Sequence, residues 1–140
     1  MGLLLDTNVV SELVKRSPSP AVTSWLARAA PDALFLGAPT IGEIVRGIET
    51  APDAGRRRYL ERWVREDLTQ QFHDRILAFD RNAATVWGRL MGEGERSGLV
   101  PPVIDTQLAA IALAHGHAVA TRDAVFERLG VERIDPWVEP

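Results

Sequence analysis

The stretch that decides the fold is Met1-Gly2-Leu3-Leu4-Leu5-Asp6-Thr7-Asn8. Three consecutive leucines followed by turn-forming polar residues are typical of a short strand that is buried on both faces. Asp6 would then lie at the carboxyl end of this strand. In open α/β sheets, this edge is where ligands bind.

Strands and helices alternate along the rest of the chain. Further strands are predicted at residues 34–38, 76–79, 118–120 and 131–134, and helices at 9–14, 21–30, 41–49, 56–71, 83–91, 105 to about 114, and 124–129. Thr40 and Glu43 have the spacing of a capping box, and residues 92–98 are predicted to form a glycine-rich connection. The alternation predicts an α/β fold with a mostly parallel central sheet flanked by helices, in a single domain over residues 1–140.

The composition excludes several classes of protein. The chain has 140 residues, of which 46% are hydrophobic and 25% charged, as in ordinary globular domains. It has no cysteine, which excludes disulfides and thiolate metal sites. We see no signal peptide and no apolar run long enough to span a membrane, and we therefore expect a cytoplasmic protein. The net charge of −3 gives no general attraction to nucleic acid.

Four acidic residues are expected at the carboxyl edge of the predicted sheet: Asp6, Glu43, Asp105 and Asp123. Carboxylates that meet at one place repel each other, so some must bind protons or a cation must neutralise them. Oxygen ligands favour a hard cation, Mg²⁺ or Mn²⁺. Such an ion lowers the pKa of its bound water, and a pair of ions can support phosphodiester cleavage. The number of ions stays open.

Helix capping is the alternative explanation for each of these acids, because Asp and Glu are favoured near helix N-termini. The helix period places Asp105 on the same face as Leu108 and Ala109, toward the core, where a charge needs a partner. Glu43 lies opposite the isoleucines of its own helix. Periodicity alone therefore predicts that Glu43 is a solvent-facing capping residue.

The chain resembles the PIN-domain ribonucleases, specifically the VapC and FitB-like toxins of bacterial toxin–antitoxin pairs. The resemblance rests on five stretches that occur in family order across nearly the whole chain: residues 4–12, 39–47, 103–110, 120–123 and 135–137. The first contains Asp6-Thr7-Asn8, the fourth is Ala120-Thr121-Arg122-Asp123, and the last is Asp135-Pro136-Trp137.

The resemblance implies that the chain is a toxin with Mg²⁺-dependent endoribonuclease activity, leaving a 5′-phosphate and a 3′-hydroxyl. It also implies a homodimer, a cognate antitoxin and an RNA substrate. The implied catalytic and metal-binding residues are Asp6, Glu43, Asp105 and Asp123, with Thr7, Asn8 and Thr121 orienting them. Many relatives have Asn where Asp123 stands, and Glu127 could assist as the fourth acid.

Two further questions stay open at the level of sequence. Arg46 could contact the substrate or the antitoxin, and the arginines between residues 56 and 65 could either bind phosphates or form a solvated face. Two other functions are also considered. A phosphorylated receiver domain needs a lysine after a late strand, but Lys15 is the only lysine. A nuclease-inactive interaction module would use the acids only to bind a partner.

Overall fold

A five-stranded sheet forms the centre of the molecule in a computed structural model that describes residues 2–139. Its strands are β1 (Leu3–Leu5), β2 (Leu34–Gly37), β3 (Ile76–Leu77), β4 (Ala118–Ala120) and β5 (Arg133–Ile134). They lie in the order β3-β2-β1-β4-β5, and every neighbouring pair is parallel. The predicted α/β fold is confirmed, and the first strand of the chain occupies the middle of the sheet.

Helices connect these strands. They are α1 (Thr7–Ser11), α2 (Pro20–Arg28), α3 (Ala38–Glu49), α4 (Ala54–Arg62), α5 (Thr69–Phe72), α6 (Arg81–Ser97), α7 (Val103–His115) and α8 (Val125–Arg128). A π-helical stretch, Trp63–Leu68, joins α4 to α5, and short 3₁₀ turns at Pro31–Ala33 and His73–Arg75 precede β2 and β3. None of the helices within residues 2–139 is both long enough and apolar enough to cross a bilayer.

The two faces of the sheet bury separate hydrophobic clusters. Leu4 and Leu5 are both fully buried, and successive side chains of a strand point to opposite faces. Leu4 packs in the cluster that contains residues of α6, α7 and α8, whereas Leu5 packs in the cluster that contains residues of α1, α2 and α5. The three leucines of β1 therefore anchor helices on both sides of the sheet.

The predicted glycine-rich connection at residues 92–98 is wrong, because α6 continues to Ser97. Gly98 ends the helix in the left-handed conformation with a φ of +79°, as a C-terminal glycine commonly does. Gly94 allows the chain to approach closely, since an added Cβ would lie 2.6 Å from Cδ of Pro101. Packing of α6 against α7 offsets the low helix propensity of its glycines.

The predicted capping box is also wrong. Helix α3 begins at Ala38, so Gly37 is the N-cap and no side chain caps the helix. Thr40 lies inside the first turn with its side chain buried. By contrast, Asp80 caps α6 as predicted, with its Oδ1 accepting a hydrogen bond from the Ala83 amide at 3.0 Å.

Candidate active site

Asp6 lies between β1 and α1 at the carboxyl edge of the sheet. Its amide donates to the Ala120 carbonyl at 3.0 Å, which joins it to β4. Its Oδ1 accepts from the Thr7 amide at 2.7 Å, so Asp6 caps α1 as well as facing the site. The residue is only 4% exposed. Burial, with smaller contributions from the charges of Glu43 and Asp123, raises the pKa of its carboxyl above the ordinary value, although hydrogen bonds from Thr121 and Thr7 oppose this.

Thr121 connects three of the predicted site residues. Its hydroxyl donates to Oδ2 of Asp6 at 2.7 Å, and it accepts from Nδ2 of Asn8 at 3.1 Å and from the Asp123 amide at 3.0 Å. Thr121 is fully buried. Oδ1 of Asn8 is buried without a hydrogen-bond partner among residues 2–139. Thr121 therefore contacts the Asp6 carboxylate directly, whereas Asn8 contacts the Thr121 hydroxyl and not a carboxylate.

Glu43 lies in the second turn of α3 and contacts Thr7, the first residue of α1. The Thr7 hydroxyl donates to Oε1 of Glu43 at 2.5 Å, and Thr40 Oγ1 lies 3.2 Å from the same hydroxyl. Glu43 is half-buried rather than exposed. The solvent-facing position predicted from periodicity is wrong, because α1 and α3 pack together and their contact covers this face of the helix.

Asp105 lies in the first turn of α7, close enough to the other three acids for their charges to act on it. Burial, together with the smaller effect of the negative charges of Asp6, Asp123 and Glu43, raises the pKa of its carboxyl to about 6. Like charges raise a carboxyl pKa in addition to burial when they lie within several ångströms. The four predicted acids therefore share one electrostatic environment.

Asp123 lies in the turn between β4 and α8. Its Oδ1 accepts from the Val125 amide at 3.0 Å, which is a capping contact, and the residue is exposed. Glu127, the alternative fourth acid, instead pairs with Arg133, whose Nε lies 2.9 Å from its Oε1. Of these two acids, only Asp123 contributes to the raised pKa values of Asp6 and Asp105.

The chemistry of these donors fits a hard divalent cation. All four acidic side chains offer oxygen, their charges repel one another, and the most buried carboxylate still has a raised pKa. Within residues 2–139, no three acidic or histidine side chains already enclose the position of an ion. The site is thus a cluster of coupled carboxylates at one edge of the sheet rather than a closed cage.

Arg46 lies on the exposed side of α3, and no ion pair within the described chain joins it to Glu43. Two of the arginines that follow it have structural contacts. Arg56 donates to the Val14 carbonyl at 2.5 Å and Arg57 to the Ala51 carbonyl at 2.7 Å. These two side chains therefore fasten α4 to neighbouring segments.

Glu12 is a buried charge that the sequence did not reveal. It is 4% exposed, forms an ion pair with Lys15 and accepts from the Ser19 amide at 2.8 Å. Burial alone would raise its pKa, but the contacts with Lys15 and Ser19 and the charge of Arg122 hold it below the ordinary value. The signal available in the sequence was an acid next to the apolar residues of α1.

The chain matches the model of one protein family over nearly its whole length. The model of the PIN domain family matches residues 3–132, which is nearly the whole sequence. The chain belongs to the PIN domain family. The match includes all four acids and both stretches, 4–12 and 120–123, that contain Asp6 and Asp123.

Named relatives resemble this PIN domain over almost their full length. The VapC ribonuclease Y4jK of Sinorhizobium fredii is 37% identical over 136 residues, covering 96% of this chain and 97% of the relative. Toxin FitB of Neisseria gonorrhoeae is 29% identical over 136 residues, covering 96% and 98%. The crystal structure of FitAcB from Neisseria gonorrhoeae superimposes on this PIN domain with a TM-score of 0.91, at 29% identity over 98% of this chain and 99% of the other.

Proposed function

We propose that this PIN domain is a metal-dependent endoribonuclease and the toxin of a type II toxin–antitoxin pair. The observation that carries the proposal is the convergence of the four acids at one sheet edge, where Thr121 binds Asp6 and Asp123 and Thr7 binds Glu43. The raised pKa of Asp105, to which the other three acids contribute, agrees with this arrangement. The similarity to proteins named VapC ribonuclease and toxin FitB supports the same reaction and the same biological role. We further propose that residues 1–140 act as one domain in the cytoplasm.

The four acids would hold the cation, which we propose to be Mg²⁺ or Mn²⁺. When bound, such an ion neutralises phosphodiester charge and supplies a water of lowered pKa. Asp6 is kept in place by Thr121 and by the Thr7 amide. Glu43 is kept in place by the Thr7 hydroxyl. These contacts fix two carboxylates in advance, so less reorganisation accompanies binding of the ion and of RNA.

Asp105 must lose its proton for all four carboxylates to act as ligands. Because its pKa is about 6 in the metal-free protein, protons compete with the cation below that pH. Cleavage at a fixed, subsaturating Mg²⁺ concentration should therefore weaken as the pH falls from 7 to 5.

Substitution of Asp6 tests the proposed reaction. Asp6→Asn keeps an oxygen that can cap α1 but removes a carboxylate from the cluster. We expect the rate of RNA cleavage with Mg²⁺ to fall by at least about 100-fold. Loss of a residue that only orients a metal ligand costs up to about 100-fold, and loss of a ligand should cost at least as much. The products of the parent should end in a 5′-phosphate and a 3′-hydroxyl.

Asp80→Asn is the matched control, because Asp80 also follows a strand and caps a helix but does not contribute to the raised pKa of Asp105. This variant should cleave like the parent. If Asp6→Asn cleaves RNA as fast as Asp80→Asn, the proposed role of Asp6 is wrong.

We propose three partners for this PIN domain: an RNA substrate, a cognate antitoxin and a second copy of the chain in a homodimer. Arg46 is proposed to contact the RNA or the antitoxin, because it lies exposed one turn from Glu43 on α3. Co-expression of the cognate antitoxin should relieve growth arrest caused by the parent. Arrest that persists in its presence would contradict the assignment as a toxin.

A further inference from the structure

Thr121 governs the placement of two of the proposed metal ligands. Its hydroxyl donates to Asp6 and accepts from the amide of Asp123, at 2.7 and 3.0 Å. A small displacement of Thr121 would therefore move the hydrogen-bond donor of Asp6, the most buried acid. It would also move the backbone of Asp123, the most exposed acid. The residues that hold Thr121 in place become important for the site.

The backbone of Thr121 is held by residues 133–137, called the brace below. The Thr121 amide donates to the Ile134 carbonyl at 2.9 Å. On its other side, the Thr121 carbonyl accepts from Nη1 of Arg133 at 3.4 Å. Both main-chain polar groups of Thr121 are thus bound to the brace, while its hydroxyl faces the acids.

Arg133 is itself fixed at three points. Besides the Thr121 carbonyl, its guanidinium meets Glu127 Oε1 at 2.9 Å and Asp135 Oδ2 at 3.5 Å. Its side chain is only 19% exposed. A planar guanidinium can serve several acceptors in fixed directions, which a flexible ammonium group cannot do. Arg133 therefore connects the brace to α8 and to Thr121.

Trp137 contacts Arg122, the residue that follows Thr121. The guanidinium of Arg122 lies over the Trp137 ring, 4.1 Å from its centroid. The Trp137 amide donates to Oδ1 of Asp135 at 2.9 Å, and the ring packs against the cluster that contains Leu5. A cation over an indole face is a favourable contact, strongest when partly desolvated.

We propose that the brace positions residues 121–123 for metal binding, with Arg133 and Trp137 as its positioning residues. This inference rests on the proposed function, because the site that the brace would position is the proposed metal and RNA site. It also gives a role to the stretch Asp135-Pro136-Trp137, which lies outside the acidic cluster. Neither Arg133 nor Trp137 touches the reacting atoms; each acts through Thr121 or Arg122.

The first test removes Arg133 and measures the metal directly. Calorimetric titration with Mg²⁺ should show about tenfold weaker binding for Arg133→Met than for the parent, as is typical when a group that orients ligands is lost. Arg128→Met is the matched control, because Arg128 lies on the exposed side of α8. It should bind Mg²⁺ like the parent.

The second test examines the metal-free protein by NMR hydrogen exchange. The Asp123 amide, which donates to the Thr121 hydroxyl, should exchange faster in Arg133→Met and in Trp137→Leu than in the parent. The amides of β1 should remain as protected as in the parent. Trp137→Phe keeps an aromatic face for Arg122 and should restore both the slow exchange and the Mg²⁺ affinity.

The inference is overturned if both variants keep the Mg²⁺ affinity and the slow Asp123 exchange of the parent. A lower melting temperature with unchanged Mg²⁺ affinity would equally overturn it, because that result describes a purely structural role. If the parent neither binds Mg²⁺ nor cleaves RNA, the proposed function fails. In that case, faster exchange of the Asp123 amide in the two variants still supports the positioning role of the brace, and unchanged exchange contradicts it.

Discussion

Asp105 couples the stability of the metal-free protein to pH. Its pKa of about 6 lies well above the ordinary value of 3.8, mainly because the carboxyl is buried and also because three other acids lie nearby. The folded state therefore keeps the proton to a higher pH than the unfolded chain. This favours the folded state below about pH 4, and the advantage is lost as the pH rises through 6.

Asp105→Asn should remove this dependence. Between pH 5 and pH 8, we expect the free energy of unfolding of the parent in EDTA to fall by on the order of 1 kcal/mol more than that of the variant. Urea denaturation at the two pH values measures the difference. Identical changes in parent and variant would mean that Asp105 is not the group responsible.

The glycines of α6 differ in what surrounds them. An added Cβ at Gly94 would lie 2.8 Å from the Leu99 carbonyl oxygen and 2.6 Å from Cδ of Pro101, whereas Gly88 has open space around it. The backbone beyond the helix cannot move away without disturbing the connection to α7. Glycine is therefore required for packing at position 94, whereas at position 88 it only lowers the stability of the helix.

Alanine substitutions should separate these two glycines. Gly94→Ala should lower the free energy of unfolding by roughly 1–3 kcal/mol because it overpacks the connection. Gly88→Ala should raise it by up to about 1 kcal/mol, since alanine is the better helix former. Chemical denaturation of both variants beside the parent provides the measurement, and equal effects of the two would contradict the packing argument.

Local sequence patterns correctly predicted several strands and helix ends. The apolar runs gave β1, β2 and β4, and Asp80 and Gly116 marked helix ends that the structure contains. The end of α6 was not predictable in this way, because its glycines are tolerated only through packing against α7. Likewise, the position of Glu43 depends on Thr7, which lies 36 residues away.

At the scale of the whole molecule, a cation should stabilise the fold by relieving repulsion among the acids. A ligand that binds only the native state at 100 times its Kd adds about 2.7 kcal/mol. The melting temperature of the parent and of Asp80→Asn should therefore rise with Mg²⁺, while Asp6→Asn should show little shift. Absence of any shift in the parent would favour an interaction module in which the acids bind only a protein partner.

Residues of the proposed site were predictable from sequence to different degrees. Asp6 and Asp105 followed from their position after a strand and on an apolar helix face. Glu43 and Asp123 needed the family resemblance. The buried charge of Glu12 and the partly buried charge of Arg133 were missed, because distant segments cover them only in the folded chain.

The central place of β1 has a consequence for the order of events during synthesis. Asp6 is made well before Thr121, the residue 115 positions later whose hydroxyl holds its carboxylate. Strand β1 also cannot pair with β4 until most of the chain has been translated. Contacts so distant in sequence form late in folding. A ribosome that has not yet made Thr121 and Asp123 therefore carries an incomplete acidic cluster.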